Sequence, residues 1–499
     1  MTTKKKEAIL LSSGISGLDS ILHGGFPARR TFLLKGDPGS GKTSLALQFL
    51  SHGALHGEST IYFSFSESLL ELQDVADSHG WPLDKIEVFE LASEISKRSS
   101  AGSSIFHSAE TELPDLISKI IALVERVKPT RIGIDSLTEL RNMADSDRSY
   151  RRALFRLKVA LEELEVTTLF IDSRSRENRP ESESLVHGVI DLHMETPIYG
   201  PVQRSLTVTK LRGRSYETGF HDFTILTGGL HVYPRIRPRE IHRNIGGGEP
   251  VLSGVEALDQ LLGGGLDRGT NSLILGASGT GKSMILLHYT LAAAARGEKA
   301  VIYTFDEDVA TFVRRAENME LPLSQYLHSG HIRIEAINAA ELSPGHFAHL
   351  VREDITEREV SFLSIDSLNG YLYAMPGENA LIPHLHDLLV YLGAQGVVAI
   401  LTMTLSGLFT SETNRVADLS YLADTIVLLR YLDQGNQISK SITAVKQRTR
   451  DHQKSVRELS FGPGGIHISP AFSGSTAPTK EPSSASATDQ PSSKSGSEK

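Results

Sequence analysis

The chain has 499 residues, enough for two to four domains at roughly 100–200 residues each, and its 39% hydrophobic content supplies ordinary cores. A net charge of −9 argues against a general nucleic-acid binder, and the lack of any cysteine excludes disulfides, thiolate zinc sites and cysteine nucleophiles. The N-terminal apolar run is too short for a secretory signal and no stretch reaches the ~18 apolar residues of a membrane span, so the cytoplasm is the expected address.

Residues 8–234 open with SSGISGLDSILHGG and then alternate short apolar runs with amphipathic ones. TFLLK, TIYFSF, TRIGID and TTLFID read as buried strands, while KTSLALQFLSHGAL and DRSYRRALFRLKVALEELE carry apolar residues at helical spacing. Strands alternating with helices imply a mostly parallel sheet covered on both faces. Residues 235–250, rich in Pro, Gly and charge, suit a linker. Residues 251–470 then repeat the same landmarks in order: Asp19 matches Asp259, Lys42 matches Lys282, and FSFSE at Phe63–Glu67 matches YTFDE at Tyr303–Glu307. RIGIDSL with Asp135 pairs with FLSIDSL with Asp366, and VTKLRGR with AVKQRTR. This is a tandem domain duplication, with a period far too long for a solenoid. Residues 471–499, rich in Ser and Pro, read as a disordered tail.

GDPGSGKT (Gly36, Gly39, Ser40, Gly41, Lys42, Thr43) and GASGTGKS (Gly276, Gly279, Thr280, Gly281, Lys282, Ser283) each follow an apolar strand and open a helix. That context suits an ATP-binding loop. Glycines let backbone N–H groups approach phosphate, the helix N-terminus adds its dipole, and the lysine neutralises the outer phosphates. The hydroxyls of Thr43 and Ser283 are candidate Mg²⁺ ligands, joined by the strand-ending Asp135 and Asp366. A carboxylate at the end of the next strand would orient the attacking oxygen: Asp306 and Glu307 in the second half, but only Glu67, beside Ser66, in the first. Lys210 with Arg212, and Lys446 with Arg448, alternate on predicted strands and read either as a solvated basic edge or as a clamp on a neighbouring subunit's γ-phosphate. Leu211 between the first pair is counted with the ATP-binding residues. The basic helix SDRSYRRALFRLK reads as a solvated or subunit-facing surface. His187, His193, His384 and His386 show no metal-ligand spacing, with the latter two expected on a helix surface, and Trp81 as core or interface filling.

With these motifs, the lead-in GLDSILHGG, IDSLNGYLYAMP (Ile365–Pro376) and LSYLADTIVLLRY (Leu419–Tyr431), the chain resembles the KaiC family of double RecA-like ATPases across roughly residues 8–470. The resemblance implies two tandem RecA-like α/β domains in a hexamer of two stacked rings, with ATP and Mg²⁺ between subunits. It implies an ATPase that also acts as a serine/threonine autokinase in its second half, signalling to a protein partner. The family's paired catalytic glutamates fall on Ser66–Glu67 and Asp306–Glu307, and its adjacent phosphoacceptors on Ser420 and Tyr421, so one carboxylate and the threonine are replaced. The family's C-terminal peptide for the clock protein KaiA is not recognisable in the tail. Two rival readings stay open. One is a RecA-type motor on single-stranded DNA, although the segments after Asp135 and Asp366 are acidic or neutral; the other is a nucleotide-dependent scaffold.

Overall fold

The computed structural model describes residues 9–91, 109–174, 181–197, 200–237, 248–374, 378–405, 421–433 and 437–470. Two nine-stranded sheets carry the chain. Across the first, the order is Gly229–Tyr233, His221–Leu226, Gln203–Leu211, Gly188–Glu195, Thr31–Gly36, Thr167–Ser173, Arg131–Asp135, Thr60–Ser64 and Glu87–Glu90. The six strands from Gly188–Glu195 onward are mutually parallel, and the other three add antiparallel to that edge. The second sheet repeats this order with Asn271–Gly276 where the first has Thr31–Gly36. The four runs expected as strands in the first half are strands, and both expected helices form, over Lys42–Leu55 and Asp147–Glu163.

Parallel strands covered by helices on both faces need apolar side chains at every position, which is why these runs are continuous rather than alternating. Leu34, Tyr62, Ile171 and Ile190 face the helix Lys42–Leu55, whose Leu45, Ala46 and Phe49 are fully buried. Leu33, Phe63, Ile134 and Phe170 face the opposite layer, built from Ala109–Val127 and Asp147–Glu163. The latter helix is capped by Ser146, whose side chain accepts the Ser149 N–H at 3.2 Å. It buries Tyr150, Leu154, Leu157 and Leu161 at helical spacing and leaves Arg148, Arg151, Arg152 and Phe155 exposed.

The domains meet where the antiparallel strand His221–Leu226 and the following segment reach helices Pro344–Thr356 and Glu378–Ala394. Asp222 accepts the Gly345 N–H at 2.8 Å and Arg235 pairs with Asp387 at 2.8 Å. Residues 238–247 of the expected linker, and the tail 471–499, lie outside the described residues. His384 departs from the expectation of a helix-surface side chain. It is half-buried and bonds the Tyr371 hydroxyl at 2.9 Å, because that face of its helix packs on the core; His386 is exposed. Trp81 packs against the first core and donates its indole N–H to the Gly228 carbonyl.

Candidate functional site

Each phosphate loop leaves the C-terminal end of a central strand and turns into a helix, the place where open α/β sheets bind ligands. Gly41 and Gly281 are the pivots, with φ of 97° and 109°, a region that favours glycine. A Cβ on Gly281 would lie 2.1 Å from Phe461 Cζ, so the turn tolerates no side chain. Lys42 Nζ donates to the carbonyls of Gly36 and Asp37, both at 2.9 Å, and Lys282 Nζ does the same to Gly276 and Ala277 at 2.9 Å. An ammonium has three donors, so each lysine is fixed to its loop with one donor to spare. Burial lowers both lysine pKa values, opposed by Asp135 and Asp37 around Lys42 and by Asp366 and Asp306 around Lys282. Ser40 and Thr280 are buried in the loops, and the Thr280 hydroxyl donates to the Ala277 carbonyl at 2.8 Å.

In the first domain, the acidic residues converge on the loop. The Thr43 hydroxyl lies 3.0 Å from Asp135 Oδ2 and 3.4 Å from Glu67 Oε1. Asp135 also accepts the Tyr62 hydroxyl at 2.7 Å. Burial and the neighbouring Asp135 charge push Glu67 up to about 7, and its Oε2 is buried without a protein partner among the described residues. Burial also raises Asp135, against hydrogen bonds from Tyr62 and Thr43. Ser66, the residue before Glu67, is exposed. No group of three His, Asp or Glu gathers to hold a metal among the described residues. A hydroxyl beside one strand-end carboxylate instead suits Mg²⁺, which keeps most of its octahedral shell in phosphate and water.

The second domain assembles differently. Asp366 accepts the Thr402 hydroxyl, and Asp306 accepts the Ser367 hydroxyl. Ser283 makes no side-chain hydrogen bond among the described residues. Glu307 pairs with Arg315 at 2.8 Å. Burial raises the Glu307 pKa, and Arg315 opposes it. Sequence reasoning missed Tyr62, Thr402, Ser367 and Arg315. Only Arg315 left a signal, being eight residues after Glu307 on the helix that Asp308 caps.

The cationic pairs lie at the opposite end of their sheets from their own loops. Lys210 pairs in register with Val189, itself opposite Leu33, and the Arg212 N–H bonds the His187 carbonyl at the level of Thr31. From there to Gly36 is five strand residues, about 16 Å. Lys446 and Arg448 sit likewise at the start of Asn271–Gly276. Their side chains donate to local carbonyls: Lys210 to Glu183, Arg212 to Ser184, Lys446 to Ala423 and Arg448 to Tyr421. The Leu211 side chain turns into the core, leaving only its backbone beside the two cations. Ser420 lies outside the described residues.

The sequence model of the family described as "ATPase: KaiC" matches residues 11–237 and again 251–473. Among curated proteins, the circadian clock oscillator protein KaiC of Acaryochloris marina is 28% identical over 479 residues, covering 94% of this chain and 90% of the relative. That of Prochlorococcus marinus is 29% identical over 477 residues, covering 93% and 92%. The oscillator protein KaiC 1 of a Synechocystis species is 27% identical over 467 residues, covering 92% and 88%.

Proposed function

The chain belongs to the KaiC ATPase family, and on that premise we propose that each of its two domains binds ATP with Mg²⁺ and hydrolyses it. The observation that carries this reading is the duplicated lysine, tied to its own loop carbonyls at 2.9 Å above a helix N-terminus. Backbone N–H groups and the lysine hold the β- and γ-phosphates. Thr43 with Asp135, and Ser283 with Asp366, would hold Mg²⁺, which when bound draws charge from the γ-phosphate oxygens. In the first domain Glu67 takes a proton from water as the water oxygen attacks the γ-phosphorus, and the bond to the bridging oxygen breaks to release ADP. A carboxyl poised near 7 suits that task at neutral pH.

Along the sheet the clamp arginines lie about 16 Å and the clamp lysines about 10 Å from their own loops, and all four side chains are tied to local carbonyls instead. In this reading Lys210 and Arg212, with Lys446 and Arg448, reach the γ-phosphate of a neighbouring subunit, and a ring, a hexamer by family resemblance, completes each site. The test is Mg-ATP hydrolysis by wild type, Lys42→Ala, Lys282→Ala and the double variant. Turnover that the double variant retains would sink the assignment. Stimulation by single-stranded DNA would favour the motor reading instead.

A second reading adds serine/threonine autokinase activity in the second domain. It is favoured by Tyr421, whose carbonyl is held by Arg448 at that seam and whose preceding residue is Ser420. Ser420 would take the γ-phosphate of the neighbour's ATP, losing its proton to Asp306 or Glu307 as ADP leaves. The new charge would be read by a protein partner. Mapping phosphopeptides of wild type and Ser420→Ala after incubation with Mg-ATP decides it; no phosphate on Ser420 in wild type ends this reading.

A further inference from the structure

Glu67 and Glu307 sit on the same backbone turn. Ser64 Oγ donates to the Glu67 carbonyl at 2.6 Å and accepts its N–H at 3.1 Å; Thr304 Oγ1 does the same to Glu307 at 2.8 and 3.3 Å. Each turn then enters a helix with its own cap, Ser68 or Asp308. The main chain therefore presents both carboxylates alike, yet the side chains part. Glu67 reaches the Thr43 hydroxyl, whereas Glu307 is drawn to Arg315. At the 240-residue offset that aligns the two loops, Arg315 corresponds to Val75, which has no charge to offer.

Arg315 is itself held in place. Its guanidinium lies 4.9 Å over the ring of Phe312, which is fully buried, and its Nε is buried with no acceptor among the described residues. The contact with Glu307 is an ion pair rather than an aligned hydrogen bond. An ion pair between half-buried groups is screened less than a surface one and competes with the pull of a cationic phosphate site.

Resting on the ATPase reading above, we infer that Arg315 is a positioning residue that holds Glu307 away from the second phosphate loop, so that the second site turns over water slowly and the first, with Val75, does not carry this restraint. The latch makes the two chemically similar sites unequal. Slow loss of the γ-phosphate to water is what a site needs if that phosphate is to be kept or handed elsewhere. Asp306, held by the Ser367 hydroxyl, remains with Asp366 among the carboxylates whose charge acts on Lys282 of the second loop.

The test exchanges the two residues in the full chain. Arg315→Val is made in a Lys42→Ala background, so that only the second site turns over, and Val75→Arg in a Lys282→Ala background, so that only the first does. Releasing Glu307 should raise kcat at the second site roughly tenfold or more with KM little changed, since a general base contributes ~10²–10⁴-fold. Adding Glu307→Gln should erase that gain, which a merely structural effect of Arg315 would not do. Val75→Arg should lower kcat at the first site by a similar factor. If Arg315→Val leaves Lys282-dependent turnover as it was, or the gain survives Glu307→Gln, the latch is wrong while the ATPase reading stands. If wild type shows no turnover that depends on Lys42 or Lys282, the ATPase reading falls and takes the latch with it.

Discussion

Tyr233 of the first domain lies flat against His346 of the second, ring centroids 4.3 Å apart and 6° from parallel. His349 stands 5.2 Å away, and Asp222 anchors the start of the same helix. Burial lowers the His346 pKa, and the neighbouring His349 lowers it further, against Glu353 and Asp222; His231 adds to the lowering. A histidine depressed in the folded state contributes fully above its unfolded value of about 6.5, and the contribution is lost as pH falls below it. Calorimetry at pH 8 should therefore show the domains coupled. Tyr233 is buried, so Tyr233→Ala loses the ring's packing as well as the stack and should lower the weaker transition by roughly 6–20 °C, from ~3–5 kcal/mol at about 2–4 °C per kcal/mol. At pH 5.5 the difference between variant and wild type should shrink. An equal difference at both pH values would mean that protonation of His346 does not weaken the stack.

Glu298 receives Arg268 at 2.8 Å, Arg296 at 2.9 Å and Ser361 at 3.0 Å. Burial alone would raise its pKa, but these hydrogen bonds outweigh it and hold the carboxyl at about 2. A depressed carboxylate stabilises above its unfolded pKa, about 4.3, and the contribution fades as pH falls towards 2. Glu298→Gln should thus lower the melting temperature of the second domain by several degrees at pH 7 and by almost nothing near pH 2. A gap that does not close on acidification would mean that the loss is one of packing.

The loops, the strands before them and the duplication were legible because each is written in contiguous residues: Gly41 and Lys42 must be adjacent, and a doubly covered strand must be apolar throughout. What stayed hidden was set by contacts distant in the chain. Asp135 was readable as a strand-end acid, but its bond to Tyr62 spans 73 residues and depends on which strands are neighbours. Asp366 finds Thr402 instead, on the strand two places over from where a repeat of Tyr62 would lie. His384 was misjudged for the same reason, since its partner Tyr371 comes from another helix. Arg315 alone was within reach of sequence reasoning, through comparison with Val75 at the offset already in use.

Because Lys210 and Arg212 lie at the far end of the sheet from Lys42, loop and clamp can be crippled on different chains. Lys42→Ala has an intact clamp, and Lys210→Ala with Arg212→Ala has an intact loop. In a Lys282→Ala background each should be inactive alone. Mixed and reassembled with Mg-ATP, they should recover part of the wild-type turnover, because some seams then join a good loop to a good clamp. Recovery absent from mixtures whose light scattering shows co-assembly would place the clamp's action within one chain or remove it altogether.

Ser66 and Glu67 occupy the place where the family resemblance calls for two carboxylates, and the sequence leaves Glu67 as the one carboxylate there. The geometry favours Glu67 as the base. Ser66 is exposed, while Glu67 is half-buried, with one oxygen 3.4 Å from the Thr43 hydroxyl and the other buried with no protein partner among the described residues. With the second loop silenced by Lys282→Ala, Glu67→Gln should lower kcat by ~10²–10⁴-fold, the usual worth of a general base, and change nucleotide affinity little. Gln keeps the size and hydrogen bonding of the side chain, so a packing role would leave the rate standing. Ser66→Ala and Ser66→Glu should both leave kcat nearly unchanged, since position 66 points to solvent. A large gain from Ser66→Glu would show instead that the base belongs at 66, and that Glu67 serves only to set the charge around Thr43 and Asp135.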